Sequence, residues 1–220
     1  MISCYQSLSQ NFFKLNYKFI KRFLDFFTSL FVLTIFSPLY FVIAIAILLT
    51  SKGPVFYSHK RIGKNGKRFL CYKFRTMHNK SDKELELILN NNKFLKNEFL
   101  QKFKLTNDPR VNPLGRFLRK TSLDELPQFL NVLLGQMSIV GPRPIVEDEK
   151  VRYGNKINEL LTVKPGITGW WQVKGRSSIE YSERKILDLF YVKNINFNFD
   201  LYILFRTIYI LLFRSGKDAF

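Results

Sequence analysis

Two adjacent carboxylates, Asp124 and Glu125, are the side chains of this sequence best suited to chemistry at phosphorus. Arg116 and Arg119 lie just before them, and Arg143 follows in a Gly-Pro-Arg-Pro segment. A carboxylate that attacks a diphosphate needs such cations, because the diphosphate is itself anionic and repels it. One carboxylate can therefore act as the nucleophile while its neighbour binds Mg²⁺, which needs only one or two carboxylates beside phosphate oxygens and water.

The same acidic pair also fits a purely structural interpretation. Ser122 followed three residues later by Glu125 is a capping box at the start of a helix. Asp124 in the first turn would then only complement the helix dipole. A capping box needs no cationic surroundings, so the nearby arginines favour the chemical interpretation, although the pattern alone leaves both open.

Several other basic side chains are candidates for binding phosphate. Lys73 and Arg75 lie two residues apart, which puts both on one face of a strand. Arg143 lies between two prolines, of which Pro144 follows it, so its guanidinium fork would be presented to phosphate oxygens by a restricted backbone. Arg176 follows a Trp-Trp pair that could stack on a base, lie at a lipid interface or pack in the core. A basic strand edge and a solvent-facing turn remain the ordinary alternatives.

The composition indicates a partner that carries negative charge. The 220 residues include 35 Lys and Arg against 17 Asp and Glu, a formal net charge of +18. Such an excess suits nucleic acid, anionic lipid headgroups or phosphorylated small molecules, and the 23 Phe and 10 Tyr suit a lipid boundary. Two cysteines in dissimilar contexts and two isolated histidines predict neither a disulfide nor a His or Cys metal site, which is typical of a reducing cytoplasm.

An apolar run from residue 26 to residue 50 is long enough to cross a bilayer, which takes ~20 helical residues. Pro38, preceded by Ser37, lies at its middle and should kink the helix. Lysines and arginines flank the run on both sides, whereas a spanning helix usually has them on one side. The residues alone leave open a spanning helix with a tolerated proline and a bent helix that enters and leaves by one face. We divide the chain here into 1–50, the N-terminal segment with the membrane helix, and 51–220, the catalytic domain.

The rest of the chain predicts an α+β fold that is mostly helical with a small β-hairpin. The hairpin comes from apolar segments at 55–57 and 69–72 around a Gly-Lys-Asn-Gly turn at 63–66. Helical periodicity, caps and glycine or proline stops predict the other elements. The predicted helices cover residues 82–104, 114–120, 122–134, 145–161, 178–193 and 199–213, and a further strand covers 169–173. The last helix is amphipathic and aromatic, so we expect it on the membrane surface.

A series of motifs in consistent order makes the chain similar to a known family. The chain resembles the bacterial sugar transferases, monotopic polyprenyl-phosphate phosphoglycosyl transferases, in their compact form and with features of exopolysaccharide hexose-1-phosphate transferases. The resemblance runs from about Lys21 to the C-terminus. Its motifs are KRFLD (21–25), SP (37–38), RIGKNG (61–66), YKFRTM (72–77), RKTSLDELPQ (119–128), VGPRP (140–144), KPGITGWWQV (164–173) and GR (175–176).

The resemblance implies a covalent mechanism. Asp124 and Glu125 would form the catalytic dyad, with Mg²⁺ at Glu125 and a phosphosugar formed on Asp124 as UMP leaves a UDP-sugar. Polyprenyl phosphate, usually undecaprenyl phosphate, would then accept the phosphosugar. The expected substrate-binding residues are Lys73, Arg75, Arg116, Arg119, Arg143, Pro144 and Arg176.

The resemblance also implies where the protein works. Its membrane anchor would be re-entrant, broken at the Ser-Pro pair, and would place the catalytic domain on the cytoplasmic face of the bacterial inner membrane against anionic lipids. The sugar, the pathway (exopolysaccharide, capsule or O-antigen) and a homo-oligomeric state stay open, as does any effect of Trp171 and Lys174, where many family members differ. The expected anchor residues are Lys21, Arg22, Asp25, Ser37 and Pro38.

Two other classes of protein compete with this enzyme. A membrane-tethered binder of anionic lipid or nucleic acid would suit the charge and the aromatic residues, but it gives no reason for the rigid Gly-Pro-Arg-Pro segment. A catalytically inactive membrane-surface partner of other enzymes would not need the intact acidic pair among arginines. We therefore favour the enzyme and expect no nucleic-acid partner.

Overall fold

The computed structural model describes residues 2–77, 81–102, 105, 108–175 and 179–213, without the side chains of 2–16, 81–83 and 101–102. The described chain is mostly helical with a small antiparallel hairpin, as predicted. The helices are α1 (Ile2–Ile35), α2 (Ser37–Thr50), α3 (Ser81–Asn91), α4 (Lys93–Lys102), α5 (Pro113–Thr121), α6 (Gln128–Leu133), α7 (Lys150–Tyr153), α8 (Ile157–Leu160), α9 (Trp170–Lys174), α10 (Tyr181–Lys193) and α11 (Phe197–Phe213). The strands are β1 (Phe56–Ile62), β2 (Arg68–Phe74), β3 (Ser138–Val140) and β4 (Gly166–Thr168).

The apolar N-terminal helix is broken where the sequence predicts a break. Helix α1 ends at Ile35 and α2 begins at Ser37, with Pro38 in its first turn, where a missing amide hydrogen costs nothing. The Ser37 hydroxyl donates to the Thr34 carbonyl oxygen at 2.8 Å and so satisfies part of the opened backbone. Among the described residues no single helix is long and apolar enough to cross a bilayer, whereas Tyr17–Ile35 and Ser37–Thr50, bent by 60°, meet that test together.

The hairpin β1–β2 lies against α6 and carries one side of the candidate site. Its strands pair in antiparallel register from Phe56 opposite Phe74 to Ile62 opposite Arg68. Asn131 of α6 is fully buried and satisfies the edge of β2, because its amide accepts from the Tyr72 N–H at 3.0 Å and donates to the Leu70 carbonyl at 2.7 Å. This bonding fixes the register between hairpin and helix.

The second sheet is a short parallel pair, β3 with β4. The strands approach so closely that a β-carbon on Gly141 would lie 2.6 Å from the Lys164 carbonyl oxygen, so only glycine fits there. Helices α9, α10 and α11 cover this pair with a buried apolar cluster. The buried members of the cluster are Val140, Val173, Tyr191, Ile203 and Ile210.

Three predicted elements differ in the structure. The helix predicted at 82–104 divides into α3 and α4 at Asn92, whose side chain caps α4 by accepting from the Phe94 and Leu95 amides. The strand predicted at 169–173 is helix α9, because the pairing partner β3 ends at Val140 and only Gly166–Thr168 can pair with it. The helix predicted at 145–161 is interrupted at Gly154, which has a φ of 51°.

The helix predicted at 122–134 also begins later than expected. Ser122 adopts a left-handed conformation (φ 59°, ψ 15°) as the end of α5, and residues Leu123–Glu125 form a 3₁₀ turn before α6 starts at Gln128. The Ser122 side chain makes no capping bond. The capping-box interpretation of the acidic pair is therefore wrong.

Candidate active site

Helix α5 delivers the acidic pair to the end of strand β2. The helix starts at an Asn112 cap, whose side chain accepts from the Gly115 N–H at 2.6 Å, followed by Pro113 at its first position. Gly115 lets α5 touch the chain just after β2, since a β-carbon there would lie 2.1 Å from the Thr76 carbonyl oxygen. At the other end of α5 the left-handed Ser122 turns the chain so that the acidic residues face the hairpin.

Lys73 bridges the two carboxylates. Its Nζ lies 2.6 Å from Oε1 of Glu125 and 3.6 Å from Oδ2 of Asp124. Asp124 is buried, with 6% of its surface exposed, whereas the Glu125 side chain keeps 30% of its surface accessible. The two carboxylates therefore share one cation but differ in their access to solvent.

Unequal pairing with Lys73 separates the pKa values of the two carboxyls, because burial alone would raise both of them. Burial raises the pKa of Asp124, against the opposing attraction of Lys73. Burial acts in the same direction on Glu125, but the charge and hydrogen bond of Lys73, with Arg143 and Arg61, outweigh it and lower the pKa of that carboxyl. Burial would lower the pKa of Lys73, yet Glu125 and Asp124 raise it. The site therefore holds a protonated lysine between a firmly ionised glutamate and an aspartate with a more basic carboxylate.

Two arginines, Arg119 and Arg143, lie near the acidic pair. The Arg119 Nε donates to the Thr76 hydroxyl at 3.0 Å, and its charge acts to lower the pKa of Asp124. Burial, with Arg184 and Arg61 close by, lowers the pKa of Arg143 to about 10. In the described part of the chain the Arg143 guanidinium makes no hydrogen bond or ion pair, and its central carbon lies 6.0 Å from the centre of the Trp171 ring. A buried cation beside other cations is stabilised by an anion, so this side of the site is suited to phosphate.

The structure brings together some of the predicted residues and leaves others apart. Lys73, Arg119 and Arg143 lie around the dyad, and Pro144 belongs to the same loop as Arg143, where its carbonyl oxygen accepts from Arg61 at 3.1 Å. Arg75 instead lies at the end of α2, where its guanidinium donates to the Ser51 and Lys52 carbonyl oxygens.

Of two further predicted binding residues, one lies apart from the dyad and the other is not described. Arg116 is exposed on α5 and has no contact with the dyad among the described residues. Arg176 lies outside the described residues.

The predicted anchor residues of α1 bond to the body of the protein. Lys21 forms an ion pair with Asp200, and Arg22 donates to the Val132 and Leu133 carbonyl oxygens at the end of α6, at 2.6 and 2.8 Å. Asp25 accepts from the Ile139 N–H at 2.9 Å. This motif therefore joins the N-terminal helix to α6, β3 and α11.

Three residues near the site were missed from the sequence. Arg61 holds the loop of Arg143 and helps to lower the pKa of Glu125. Asn131 locks β2 to α6. Arg184 is buried on α10, 4.8 Å from the face of Trp171 and beside Arg143. A polar residue in the interior of a predicted helix was the available signal for Asn131 and Arg184.

A magnesium ion fits this donor set only when a substrate completes it. Among the described residues no three His, Cys, Asp or Glu side chains are close enough to form a protein-only metal site. The two carboxylates, one of them partly accessible, match the usual arrangement in which Mg²⁺ keeps several waters and takes further oxygens from phosphates.

Comparisons with known proteins show the family of the chain. The bacterial sugar transferase family model matches residues 16–214. The chain is 46% identical over 209 residues to the undecaprenyl-phosphate galactose phosphotransferase of Salmonella typhimurium, covering 95% of this chain and 44% of that protein. It is 46% identical over 197 residues to the exopolysaccharide production protein ExoY of Rhizobium meliloti, covering 90% and 87%. It is 38% identical over 200 residues to the UDP-glucose:undecaprenyl-phosphate glucose-1-phosphate transferase of Escherichia coli, covering 87% and 40%. The chain thus spans less than half the length of the first and third of these relatives.

Proposed function

The chain belongs to the bacterial sugar transferase family, and we propose that it transfers a sugar-1-phosphate from a UDP-sugar to polyprenyl phosphate, with undecaprenyl phosphate as the expected acceptor. The product would be the lipid-linked sugar that starts an exopolysaccharide, capsule or O-antigen. The names of the Salmonella and Escherichia coli relatives support the lipid, and the second of these names also supports the nucleotide sugar. The family match over residues 16–214 supports the same chemistry here.

In the first half-reaction the Asp124 carboxylate attacks the phosphorus that bears the sugar. A bond forms between an Asp124 oxygen and this phosphorus, and the bond to the bridging oxygen of the diphosphate breaks. UMP leaves with that oxygen as a phosphate anion, so the step requires no proton donor. The raised pKa of Asp124 goes with a more basic and more nucleophilic carboxylate.

In the second half-reaction a phosphate oxygen of the polyprenyl phosphate attacks the same phosphorus. The bond to Asp124 breaks, its carboxylate is restored, and a polyprenyl diphosphate sugar leaves. Arg143, Arg119 and Lys73 would stabilise the negative charge that develops on the phosphoryl oxygens in both steps. A bound Mg²⁺ would neutralise phosphate oxygens, held by Glu125 and the substrate.

One observation carries this proposal. A buried carboxylate, Asp124, shares the Lys73 ammonium with a second carboxylate, and the Arg143 guanidinium makes no ion pair among the described residues. Glu149 and Glu125 attract Arg143, but burial and two neighbouring arginines still lower its pKa, so a further anion would stabilise its charge. A covalent attack on an anionic phosphorus uses each of these groups.

We also propose a location for the protein. We place residues 1–50 in the membrane as a re-entrant anchor and residues 51–220 on the cytoplasmic face of the inner membrane, with α11 along the bilayer surface. The broken pair α1–α2 and its exposed apolar side chains support this placement, because such a surface suits lipid. The excess of basic residues would then bind anionic headgroups.

The test is release of UMP by purified protein in detergent with Mg²⁺, undecaprenyl phosphate and a panel of UDP-sugars. Release with one sugar, lost on chelation and in Asp124→Asn, would establish the reaction and identify the donor. If no UDP-sugar gives UMP, while the protein binds anionic vesicles or nucleic acid with a steep salt dependence, the protein is a binder instead.

A further inference from the structure

Asp200 joins the N-terminal helix to the two C-terminal helices. It lies near the start of α11 with 5% of its surface exposed. Its carboxylate accepts from the Tyr17 hydroxyl and the Lys21 ammonium of α1, and from the Tyr191 hydroxyl of α10 at 2.7 Å. A buried carboxylate with three donors, one of them charged, is a well-satisfied junction.

The junction continues into strand β3. The Tyr191 hydroxyl, which is also buried, has one proton, and the Val140 carbonyl oxygen at the end of that strand lies 3.1 Å away as its second possible acceptor besides Asp200. One residue earlier in the strand, the Ile139 N–H donates to Asp25 of α1 at 2.9 Å. Helix α1 therefore reaches β3 at two successive residues, once by a direct hydrogen bond and once through Asp200 and a Tyr191 hydroxyl whose proton is shared between Asp200 and Val140.

Strand β3 leads without a break into the loop that carries Arg143. The Gly141 N–H donates to the Thr168 carbonyl at 2.9 Å and the Gly166 N–H donates to the Pro142 carbonyl at 2.8 Å. With a proline on each side of Arg143, the loop has few backbone torsions that could absorb a displacement of the strand. A movement of β3 is therefore passed to the Arg143 guanidinium.

We propose that Asp200 is a positioning residue, which sets the place of Arg143 through Tyr191 and β3, so that the phosphate site is correctly assembled only while α1 is docked on the body. The effect on transfer rests on the proposed function. The mechanical link from α1 to Arg143 rests only on the contacts above. The active site would thus depend on how the anchor helix lies, although no residue of that helix touches the dyad among the described contacts.

Tyr191→Phe tests the link with the smallest change, since it removes one hydroxyl and leaves the ring in place. We expect the transfer rate to fall roughly 10-fold. A displacement of the Arg143 guanidinium by less than about 1 Å would already lower the rate, because the phosphoryl group and its cation must be held in a defined geometry. Tyr202→Phe, which removes an exposed hydroxyl from α11, is the matched control and should stay within twofold of the unmodified protein. A Tyr191→Phe protein with unchanged transfer overturns the proposal.

A double-mutant cycle with Arg143→Ala separates positioning from general destabilisation. If Tyr191 acts through Arg143, then adding Tyr191→Phe to Arg143→Ala should cost less than twofold, because the group it positions is already absent. Losses that multiply in full would show that Tyr191 acts by another route, and would contradict the proposal.

Backbone hydrogen exchange tests the link without any activity. In Tyr191→Phe, and in Asp200→Asn if it folds, the amides of residues 138–141 and 143 should exchange at least 10-fold faster, while those of the hairpin β1–β2 stay unchanged. Unchanged exchange at β3 overturns the coupling, whatever the transfer activity. If exchange at β3 is faster in the variants but the unmodified protein releases no UMP with any UDP-sugar, the coupling stands and the proposed function is rejected.

Discussion

The ammonium nitrogen of Lys73 lies 2.6 Å from Oε1 of Glu125, and this ion pair ties strand β2 to the turn that carries Asp124. Lys73 comes from the hairpin and Glu125 from the segment after α5, 52 residues later. Their contact depends on two close packings, Gly115 against Thr76 and Asn131 against the edge of β2. The dyad is therefore held by the fold rather than by its own local helix.

The acid side of the pH profile should report Asp124. Burial raises the pKa of its carboxyl, and only the carboxylate can attack phosphorus, so the rate should fall as the pH falls through this raised pKa. Lys73→Met removes the charge that most opposes the raised pKa, and the fall in rate should then move to higher pH. Initial rates of UMP release across pH at saturating Mg²⁺ would measure both. Lys60→Met, an exposed lysine of β1, is the control, and equal profiles for both variants would contradict the assignment.

Asp124→Asn should give a protein at least as stable as the unmodified one. Because the folded pKa of Asp124 lies above its unfolded value, folding is favoured while the group is protonated, and that contribution is lost as the pH rises through the folded pKa. Near neutral pH the neutral amide removes this penalty, and each kcal/mol relieved should raise Tm by about 2–4 °C. Thermal unfolding in detergent would show it, with the exposed Asp148→Asn as control. A lower Tm for Asp124→Asn would mean that the carboxylate stabilises the fold.

Arg143→Met should reduce kcat/KM roughly 100-fold, the usual cost of losing one preorganised contact to developing charge. Arg143→Lys should recover part of the loss, because it keeps the charge but not the guanidinium fork. Arg68→Met removes an exposed arginine that pairs with Glu147, and it should have little effect. Equal rates for Arg143→Met and Arg68→Met would remove Arg143 from the site.

Pro38→Ala should straighten the break between α1 and α2, because alanine restores the missing amide hydrogen and removes the ring clash. A straight helix would cross the membrane and carry one terminus to the other side. A cysteine introduced near the N-terminus, in a Cys4→Ser background with Cys71 buried, would report its side by labelling in intact vesicles. Pro54→Ala is the control, and an N-terminus that keeps its side in Pro38→Ala would refute the prediction.

The sequence predicted those parts of the fold that depend on local chemistry. The Gly-Lys-Asn-Gly turn predicted the hairpin, and the turn indeed places Asn65 at a φ of 56°. The Ser-Pro pair predicted the break after α1, and Asn112-Pro113 marked the start of α5. In each case the signal is a backbone preference of the residues themselves, so no distant partner is needed.

The parts that failed depend on partners far along the chain. Residues 169–173 are rich in the aromatic and β-branched types that favour strands, yet they lie beyond the end of β3 and fold as α9. Ser122 followed by Glu125 matches the start of a helix. In the structure Ser122 instead ends α5, the helix that packs on Thr76. Arg75 follows Lys73 by two residues, which predicted that both side chains lie on one face of a strand. Strand β2 ends at Phe74, however, and the Arg75 side chain bonds to the carbonyl oxygens at the end of α2.

The candidate site was predicted in its residue types but not in its geometry. The acidic pair, Lys73, Arg119 and Arg143 come together as the motifs indicated. Their pairing by Lys73, and the difference in burial between the two carboxylates, could not be predicted because they arise from contacts between β2 and a turn 50 residues away. The same applies to Asp25 and Lys21, which bond to β3 and α11 in the structure.

The mass of the intact protein after mixing with Mg²⁺ and the active UDP-sugar, without polyprenyl phosphate, tests the covalent mechanism most directly. We expect the protein to gain the mass of one phosphosugar less one water, on a peptide containing Asp124, and undecaprenyl phosphate to remove it. Asp124→Asn should show no gain. If UMP is released only when undecaprenyl phosphate is present, and no adduct forms under any condition, the sugar phosphate passes directly between substrates and Asp124 is not the nucleophile.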